Sequence, residues 1–307
     1  MIEHESVLKQ EAVEALVMKT DGAFIDCTYG RGGHSEMILD RLTEQGRMMV
    51  IDKDQAAIEH AIDKYGDDSR VVVVRGSFRN IADFVAEYDF QPLDGVLVDL
   101  GVSSTQLDQS ERGFSFNQDG PLDMRMDQSR GQTVAEWLAV AEERDIIFIL
   151  RKYGEERFAR RIARNIVDVR RLQSITTTQQ LVDIIETAIP RRDPNKHPAT
   201  RSFQAFRIYI NDELGELETL LEATVPLLVT GGRLVVISFH SLEDRIVKRF
   251  MRNMAKGETL PDRLPIPDAQ IKRHLKLVGK PVKPSAKEIE RNRRARSSIM
   301  RVSEKLR

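Results

Sequence analysis

The sequence predicts an α/β fold in which a doubly wound, Rossmann-like parallel sheet carries helices on both faces. Short apolar runs alternate with amphipathic segments through the first third of the chain, which is the pattern of repeated βαβ units. The run at 71–74 consists of valines alone, as in a strand that a parallel sheet buries on both faces. A glycine-rich turn follows the first run directly, and such a turn is typical of the ligand-binding edge of these sheets.

The glycine-rich turn and the strand after it predict a nucleoside cofactor. A predicted strand over 24–27 leads into a turn with three glycines, Gly30, Gly32 and Gly33. These glycines let a ligand approach bare backbone, and the N-terminus of the following helix points at that ligand. The second strand, over 48–51, ends in Asp52, where an acidic residue accepts hydrogen bonds from ribose hydroxyls.

The remaining elements of the sheet follow from the same alternation. Further strands are predicted over 71–74, 94–99 and 233–239, with a C-terminal pair over 275–278 and 298–302. Helices are predicted over 6–17, 55–65, 81–88 and 241–254. Gly231 and Gly232 are expected to end the preceding helix before the fifth strand, and a Pro-rich connection is expected over 258–268. Ser285 and Glu288 predict a capping box for a short helix.

Between the fourth and fifth strands the sequence predicts helices only. They are expected over 134–150, 155–171 and 178–189 after a loop over 109–130, and 201–228 is mostly helical. We therefore expect residues 106–200 to form an inserted helical domain for substrate recognition. Residues 1–105 and 201–307 are expected to form the discontinuous sheet domain that binds the cofactor. An insert at this point lies over the carboxyl edge of the sheet, where the cofactor is expected.

Composition excludes several other classes of protein. The chain has 307 residues, 41% of them hydrophobic, and no run approaches the roughly 18 apolar residues of a membrane span. The N-terminus lacks the basic and apolar regions of a secretory signal, so we expect a cytoplasmic protein without a membrane partner. The single cysteine, Cys27, excludes an internal disulfide and a cysteine-rich zinc site. The six histidines show no helical pair at metal spacing, so no metal is expected.

The net charge of −1 conceals a basic C-terminal segment. Residues 271–307 contain thirteen Lys/Arg and three Asp/Glu, so the rest of the chain is acidic. This asymmetry predicts contact with a polyanion, and the best phosphate-binding candidates are Arg293, Arg294 and Arg296, which follow Glu290 without another local acid. The alternative is a solvated tail or a structural cover for the sheet.

The predicted insert carries a second basic group. Its members are Arg151, Lys152, Arg157, Arg160, Arg161, Arg164, Arg191, Arg192 and Lys196, and Arg201 follows directly after. They are candidates for contact with the phosphates of a polyanion. The alternative is a solvated helix face on which Glu155 and Glu156 are the partners.

The order of the predicted strands separates two nucleoside cofactors. Five parallel strands followed by a C-terminal pair form the sheet of class I S-adenosylmethionine-dependent methyltransferases, whereas a dinucleotide dehydrogenase would show G-x-G-x-x-G and a sixth parallel strand. The turn here is Gly30-x-Gly32-Gly33. S-adenosylmethionine is therefore the expected cofactor, not NAD. Phe78, just past the third strand, either lies on the adenine face or is an ordinary core residue.

Six motifs make the prediction more specific. They are DCTYGRGGHS at 26–35, VDLGVSSTQ at 98–106, GFSF at 113–116, PLDMRM at 121–126, HPATR at 197–201 and ISFHSLEDR at 237–245. In this order, and over essentially the whole chain, they resemble the MraW family, the bacterial ribosomal RNA small-subunit methyltransferases H. The resemblance implies S-adenosylmethionine-dependent methylation of the exocyclic N4 of a cytidine in the decoding region of 16S ribosomal RNA. It also implies that the cofactor is bound by Gly32, Gly33, His34, Asp52, Phe78, Asp99 and Gln106.

Asp99 is the catalytic candidate. The methyl group of a sulfonium is already activated, but the lone pair of a cytosine amine is delocalised into the ring, so an acceptor for its N–H bonds would help. Asp99 ends the fourth strand and can supply that acceptor. Many amino-group methyltransferases have Asp/Asn/Ser-Pro-Pro-aromatic here, whereas this chain has Asp99-Leu100-Gly101-Val102. The aromatic that stacks the base is therefore open between Phe114, Phe116 and Phe239.

Several assignments remain open at this point. His34 either binds the cofactor or supports the following helix, and His240 with Glu243 either lines the base pocket or caps a helix. The expected partner is 16S ribosomal RNA in the small ribosomal subunit, with a homodimer as one option for the oligomeric state. Competing functions are a methyltransferase that acts on DNA or on a protein amine, and a non-catalytic RNA-binding assembly factor.

Overall fold

A computed structural model of the chain describes residues 6–190, 197–257 and 272–307. The expected basic residues Arg191, Arg192 and Lys196 lie outside the described residues. The chain forms two compact units, one over 1–101 and 214–307 and one over 102–213, which we call the sheet unit and the helical unit. In the described ranges we find no helix that is long and apolar enough to cross a membrane.

The seven strands are β1 Ala23–Asp26, β2 Arg47–Asp52, β3 Val71–Arg75, β4 Leu93–Asp99, β5 Leu228–Ser238, β6 Leu275–Leu277 and β7 Ile299–Lys305. The helices are α1 Lys9–Leu16, α2 Gly33–Leu39, α3 Gln55–Tyr65, α4 Ile81–Glu87, α5 Ser104–Asp108, α6 Val134–Val140, α7 Glu143–Gly154, α8 Ala159–Arg170, α9 Thr178–Ala188, α10 Thr200–Ile210, α11 Glu213–Leu227, α12 Ser241–Lys256 and α13 Ala286–Arg291. The predicted α/β fold class is confirmed. The first four strands, α3 and α4 lie within one residue of their expected bounds, whereas α1 begins three residues later than expected.

All seven strands belong to one sheet in the order β3-β2-β1-β4-β5-β7-β6. The first five are parallel, and β7 pairs antiparallel with both β5 and β6. Because β1 lies between β2 and β4, the direction of chain winding reverses at β1. In such sheets ligands bind outside the carboxyl ends of the strands at this reversal. The carboxyl ends of β1, β2 and β4 are therefore the expected ligand-binding edge of this sheet.

Alternate residues of the central strands fill two cores, one on each face of the sheet. Phe24 and Leu97 pack with α1, α2 and α3, whereas Ile25 and Val96 pack with α4, α11 and α12. This alternation follows from the period of two in a strand. The valines of β3 depart from expectation: β3 is the edge strand of the sheet, so Val71, Val72 and Val73 are only half-buried.

The helical unit has its own core, to which every helix from α6 to α10 contributes. α10 belongs to this unit because Phe203 and Phe206 are buried in the same core as α7 and α8. The unit therefore extends from 102 to 213, beyond the predicted insert of 106–200. In the described part of this unit the chain forms no strand, apart from an isolated bridge between Pro121 and Thr177.

Three predicted elements are wrong in extent. The helix expected over 134–150 is two helices, because Ala141 is extended with ψ 138° and Glu142 is the N-cap of α7. The helix expected from 155 begins at Ala159. The expected stop at Gly231 and Gly232 lies inside a strand instead, since β5 begins at Leu228 and the register against β4 shifts around these glycines. The Pro-rich connection expected over 258–268 lies outside the described residues.

Candidate functional site

The glycine-rich turn has a backbone shape that side chains cannot adopt without strain. Gly30 and Gly32 have φ of 54° and 74° in the left-handed region. A Cβ at Gly32 would lie 2.6 Å from Oη of Tyr29, so the turn rests directly on that ring. Gly33 begins α2, and a Cβ there would collide with Oγ of Ser6. The glycines are thus required by the fold of the turn itself, and they leave its outer backbone bare.

The side chain of Tyr29 packs against the glycine-rich turn. Its side chain is buried, its Oη lies 2.8 Å from Nδ1 of His60 on α3, and burial raises the pKa of the phenol. Because the phenol stays protonated, Oη donates the hydrogen bond to Nδ1 when His60 is neutral with its proton on Nε2. Burial also lowers the pKa of His60, which favours this neutral form. The chain therefore holds the turn between a strand end and α3.

Asp52, at the end of the neighbouring strand β2, is hydrogen-bonded to the glycine-rich turn. Its Oδ2 accepts a hydrogen bond from Gly30 N at 2.9 Å, and its Oδ1 accepts one from Asp54 N at 2.9 Å. Burial raises the pKa of this carboxyl to about 6, against these two backbone donors. Each oxygen keeps a second lone pair, so an ionised Asp52 can still accept two further hydrogen bonds.

Phe78 lies at the start of a 3-10 helix over 78–80, directly after β3. The ring is half-buried against the core that contains α4. The ammonium of Lys53 lies 5.7 Å from the ring centroid, and Lys53 forms an ion pair with Glu216. Phe78 is therefore partly a core residue, as the alternative assignment held, and partly accessible.

Asp99 ends β4 and has one carboxylate oxygen without a partner among the described residues. The backbone N of Asp99 donates to Oγ1 of Thr28 at 2.7 Å, which fixes the strand end against β1. Oδ1 is buried and accepts no hydrogen bond within the described ranges. Burial raises the pKa of Asp99 well above its usual value, and the carboxylates of Asp26 and Glu243 raise it further.

His34 faces Asp99 with a fixed orientation. Its Nε2 lies 3.1 Å from the carbonyl oxygen of Val7, and since a carbonyl only accepts, Nε2 carries the proton. Burial lowers the pKa of His34, so the ring is neutral and Nδ1 presents a lone pair. This Nδ1 lies 3.7 Å from Oδ2 of Asp99. The expected alternatives for His34 thus resolve in part: the side chain anchors α2 to the chain before α1 and also borders Asp99.

Asp26 ends β1 and lies near both His34 and Asp99. It is buried, and its Oδ2 accepts a hydrogen bond from Oγ of Ser35 at 2.7 Å, while Oδ1 accepts one from Thr28 N at 3.0 Å. Burial raises its pKa, whereas the neighbouring His34 and these donors lower it. The ends of β1, β2 and β4 therefore carry a carboxyl group each, Asp26, Asp52 and Asp99, with one imidazole between two of them.

His240 and Glu243 form a helix cap. Nδ1 of His240 accepts from Glu243 N at 3.4 Å, and Oε2 of Glu243 accepts from Phe239 N at 2.7 Å and from His240 N at 3.2 Å. Of the two interpretations of this pair, the structure supports the capping of α12. Phe239 lies beside the end of β4, since a Cβ on Gly101 would lie 3.7 Å from its ring.

The predicted site residues of the helical unit have local structural roles. Oε1 of the buried Gln106 accepts from Ser103 N at 2.9 Å and completes the capping box of α5. Arg201 is the second residue of α10 and is half-buried. Phe114 is buried in the core of this unit, and the ring of Phe116 stacks on His197 with centroids 4.4 Å apart.

The basic C-terminal segment is a folded part of the sheet unit. Arg293, Arg294 and Arg296 are exposed on a 3-10 helix over 293–297, while Ala295 between them is buried. The capping box predicted for the short helix that precedes it, α13, is confirmed only in part. Oγ of Ser285 accepts from Glu288 N at 3.2 Å, but Oε1 of Glu288 accepts from Leu8 N instead of closing the box.

Sequence reasoning missed the residues that orient the site. Thr28 and Asp26 lie inside the motif at 26–35 but have no ligand-binding signal of their own, and their role follows from hydrogen bonds to the end of β4 and to α2. Tyr29 and His60 are far apart in sequence, so their hydrogen bond carries no sequence pattern.

Comparisons with known proteins identify the family. The model of the MraW methylase family matches residues 1–306. Two solved structures are similar in fold: a proposed rRNA methylase from Clostridium thermocellum, with 13% identity, TM-score 0.46 and 99% of each chain covered, and an rRNA methylase from Streptococcus thermophilus, with 10% identity, TM-score 0.42 and 97% and 94% covered. At these values neither structure bears on the activity of this chain. The family match confirms the expected methyltransferase activity with S-adenosylmethionine as the methyl donor. The chain belongs to the MraW methylase family.

Proposed function

We propose that this protein transfers a methyl group to the exocyclic N4 of a cytidine in the decoding region of 16S ribosomal RNA. The observation that carries this proposal is the unpartnered, buried Oδ1 of Asp99 at the carboxyl end of β4, beside the glycine-rich turn of the next strand. A buried acceptor without a donor suits an incoming N–H group. An amine is the class of methyl acceptor that brings such a donor.

The residues at this edge of the sheet fit S-adenosylmethionine. The bare backbone at Gly30 and Gly32 admits the amino-acid part, Asp52 has free lone pairs for ribose hydroxyls, and Phe78 offers a partly accessible ring for the adenine. When bound, the cofactor supplies an electrophilic methyl group on a sulfonium. We assign cofactor binding to Gly30, Gly32, Gly33, His34, Asp52, Phe78, Asp99 and Gln106.

In the proposed reaction, Asp99 acts on the amine. Its ionised carboxylate accepts an N–H bond, which localises the nitrogen lone pair for attack on the methyl group. The methylated nitrogen would carry a positive charge, which it would lose by giving its proton to Asp99. The raised pKa of Asp99 favours this proton transfer, because it makes the carboxylate a stronger base.

His34 is the positioning residue in this proposal. Its Nε2–H is held by the carbonyl of Val7, so only the lone pair on Nδ1 faces Asp99. A lone pair beside a carboxyl group favours the protonated form over the ionised form. His34 therefore assists Asp99 when Asp99 receives the proton.

Recognition of the RNA requires both a flipped base and contacts to the phosphates. We assign phosphate contacts to the exposed Arg293, Arg294 and Arg296, and further substrate contacts to Arg201 and His240. The exposed arginines support this assignment directly, since guanidinium groups bind phosphate in bidentate geometry. His240 has weaker support, because its Nδ1 already caps α12.

The proposal is tested by incubating the protein with methyl-labelled S-adenosylmethionine and small ribosomal subunits from a strain that lacks it. We expect label in 16S RNA, and nuclease digestion should release it as N4-methylcytidine. Duplex DNA and the ribosomal proteins serve as competing acceptors in the same assay. Label in either of them, or cofactor binding without any transfer to RNA, would show that the proposed substrate is wrong.

A further inference from the structure

One helix of the helical unit presents a row of arginines to the solvent. Arg157, Arg160, Arg161 and Arg164 are all exposed, and we call them the α8 arginine face. Their spacing of three, four and seven residues places them on one side of α8 and of the turn that precedes it. Ile162 and Ile166, on the opposite side, are fully buried in the core of the unit.

The α8 arginine face has no ion-pair partner in the part of the chain that the structure describes. Of the two acids expected to neutralise it, Glu156 is buried, and its Oε1 accepts a hydrogen bond from Phe158 N. Glu155 is exposed but, within the described ranges, forms no ion pair with these four arginines. Two other exposed arginines of the same unit are paired. Arg144 lies 2.8 Å from Glu142, and Arg171 lies 3.4 Å from Asp168.

The positions of these arginines do not contribute to the stability of α8. α8 has no acidic residue in its first turn, and its N-terminal end already carries the positive end of the helix dipole. Arg160 and Arg164 are four residues apart on one face, where like charges repel. The arrangement is therefore better explained by an external anion than by the stability of α8.

We propose that the α8 arginine face binds the phosphate backbone of the RNA substrate. The inference rests on the proposed function, which supplies a polyanion as the methyl acceptor, and adds a contact surface in the helical unit. Four guanidinium groups within about two helical turns can neutralise several phosphates of one strand. Such contacts position the RNA without reading its sequence.

The test compares two variants that remove the same type of side chain. In the first, Arg160, Arg161 and Arg164 are each replaced by Gln; in the control, the paired Arg144 and Arg171 are replaced by Gln. Affinity for small ribosomal subunits is measured between 50 and 300 mM KCl, together with KM for the subunit and kcat. The thermal midpoint is recorded for each variant to confirm folding.

For the triple variant we expect the slope of log affinity against log salt to fall by about three, or about one for each arginine. KM for the subunit should rise roughly tenfold or more, with kcat and cofactor affinity unchanged. The control variant should keep the wild-type slope. Replacement of the same three arginines by Lys should restore most of the slope, because it restores the charge.

An unchanged slope and KM in the triple variant, with wild-type protein active on RNA, would overturn the assignment of this surface while the proposed function stands. Wild-type protein that transfers no methyl group to RNA would instead overturn the proposed function. Loss of binding to anionic lipid vesicles by the triple variant, with RNA affinity intact, would assign the surface to a membrane and also overturn the proposal.

Discussion

Asp52 and Asp99 each end a parallel strand, but their surroundings give them different properties. Both oxygens of Asp52 accept backbone N–H groups, whereas Oδ1 of Asp99 accepts none among the described residues. Satisfied carboxylates suit a fixed binding role, and an unpartnered one suits contact with a substrate donor. The sequence shows only that both are acidic, so this difference could not be predicted from it.

The pKa of Asp52 leads to a prediction about cofactor affinity. Burial raises this pKa to about 6, and only the ionised form can accept from both ribose hydroxyls. Affinity for S-adenosylmethionine should therefore be constant above about pH 7 and weaken as the pH falls through 6. Calorimetric titration between pH 5 and pH 8 measures this.

The Asp52→Asn variant is the control for that titration. Its affinity should be lower, by about tenfold or more, and nearly independent of pH. Wild-type affinity that is equally flat would contradict the proposed role. A pH dependence that persists in the variant would assign the titration to another group at the turn, such as His60, whose pKa burial lowers.

In the protein without bound ligand, the buried carboxyl group of Asp99 should lower the free energy of unfolding. A carboxyl group whose folded pKa lies above its unfolded value of 3.8 lowers the free energy of unfolding as the pH rises above 3.8. The Asp99→Asn variant removes this loss, so its thermal midpoint should exceed that of wild type at pH 8, by roughly 2–4 °C for each kcal/mol gained.

The gain of Asp99→Asn in thermal midpoint should disappear below about pH 3, where the wild-type carboxyl group is protonated in both states. Thermal unfolding followed by circular dichroism at the two pH values gives the comparison. A variant that is less stable than wild type at pH 8 would show that Asp99 has a stabilising partner, against the observed geometry.

At the scale of the elements, the glycine-rich turn can be tested with a matched pair of glycines. Gly32 and Gly279 both have positive φ, 74° and 68°, but a Cβ at Gly32 meets Tyr29 whereas one at Gly279 meets nothing within 4 Å. Both Ala variants should lose about 1–2 kcal/mol from the conformation alone. Gly32→Ala should lose more and should weaken S-adenosylmethionine binding at least tenfold.

Denaturant unfolding and cofactor titration separate these effects. Gly279→Ala should bind the cofactor as wild type does, since it lies in the connection between β6 and α13. If both variants lose equal stability and neither loses affinity, the contact between Gly32 and Tyr29 does not shape the site.

Much of the sheet unit follows from the sequence because its signals are local. α3 has the predicted bounds of 55–65, as its apolar periodicity begins after the N-cap Asp54 and ends before Gly66. The break between α6 and α7 could not be predicted, because Ala141 and Glu142 are good helix formers and only the packing requires the extended backbone at Ala141.

The sequence indicates candidate residues for the site but not the contacts that these residues make. The motifs identify Asp52, His34 and Asp99, yet the tautomer of His34 depends on the carbonyl of Val7, far away in sequence. The helix cap formed by His240 is one of two alternatives that the sequence leaves open, since a histidine has no strong preference for the N-cap.

At the scale of the whole molecule, a net charge of −1 coexists with two exposed basic surfaces. Arg293 and Arg296 form no ion pair in the described part of the chain, and with Arg294 they lie in a folded segment. Replacing all three by Ala should reduce the salt slope of RNA binding by about three and leave cofactor affinity unchanged. Filter binding over a salt series measures this.

The effects of the two surfaces should add if both contact phosphates. A protein in which Arg293, Arg294 and Arg296 are replaced by Ala, and Arg160, Arg161 and Arg164 by Gln, should lose about six from the slope of log affinity against log salt. An unchanged slope in the tail variant would make that segment a structural cover for the sheet, which its buried Ala295 also allows.

The most direct test of the account is single-turnover methyl transfer by Asp99→Ala at saturating S-adenosylmethionine and saturating small subunit. Saturation removes any effect on the binding of either partner, so the rate reports the chemical step alone. For Asp99→Ala we predict a methyl-transfer rate roughly 10²–10⁴-fold below that of wild type, with RNA affinity nearly unchanged. A rate close to wild type under these conditions would contradict it and leave Asp99 as a cofactor-binding residue only.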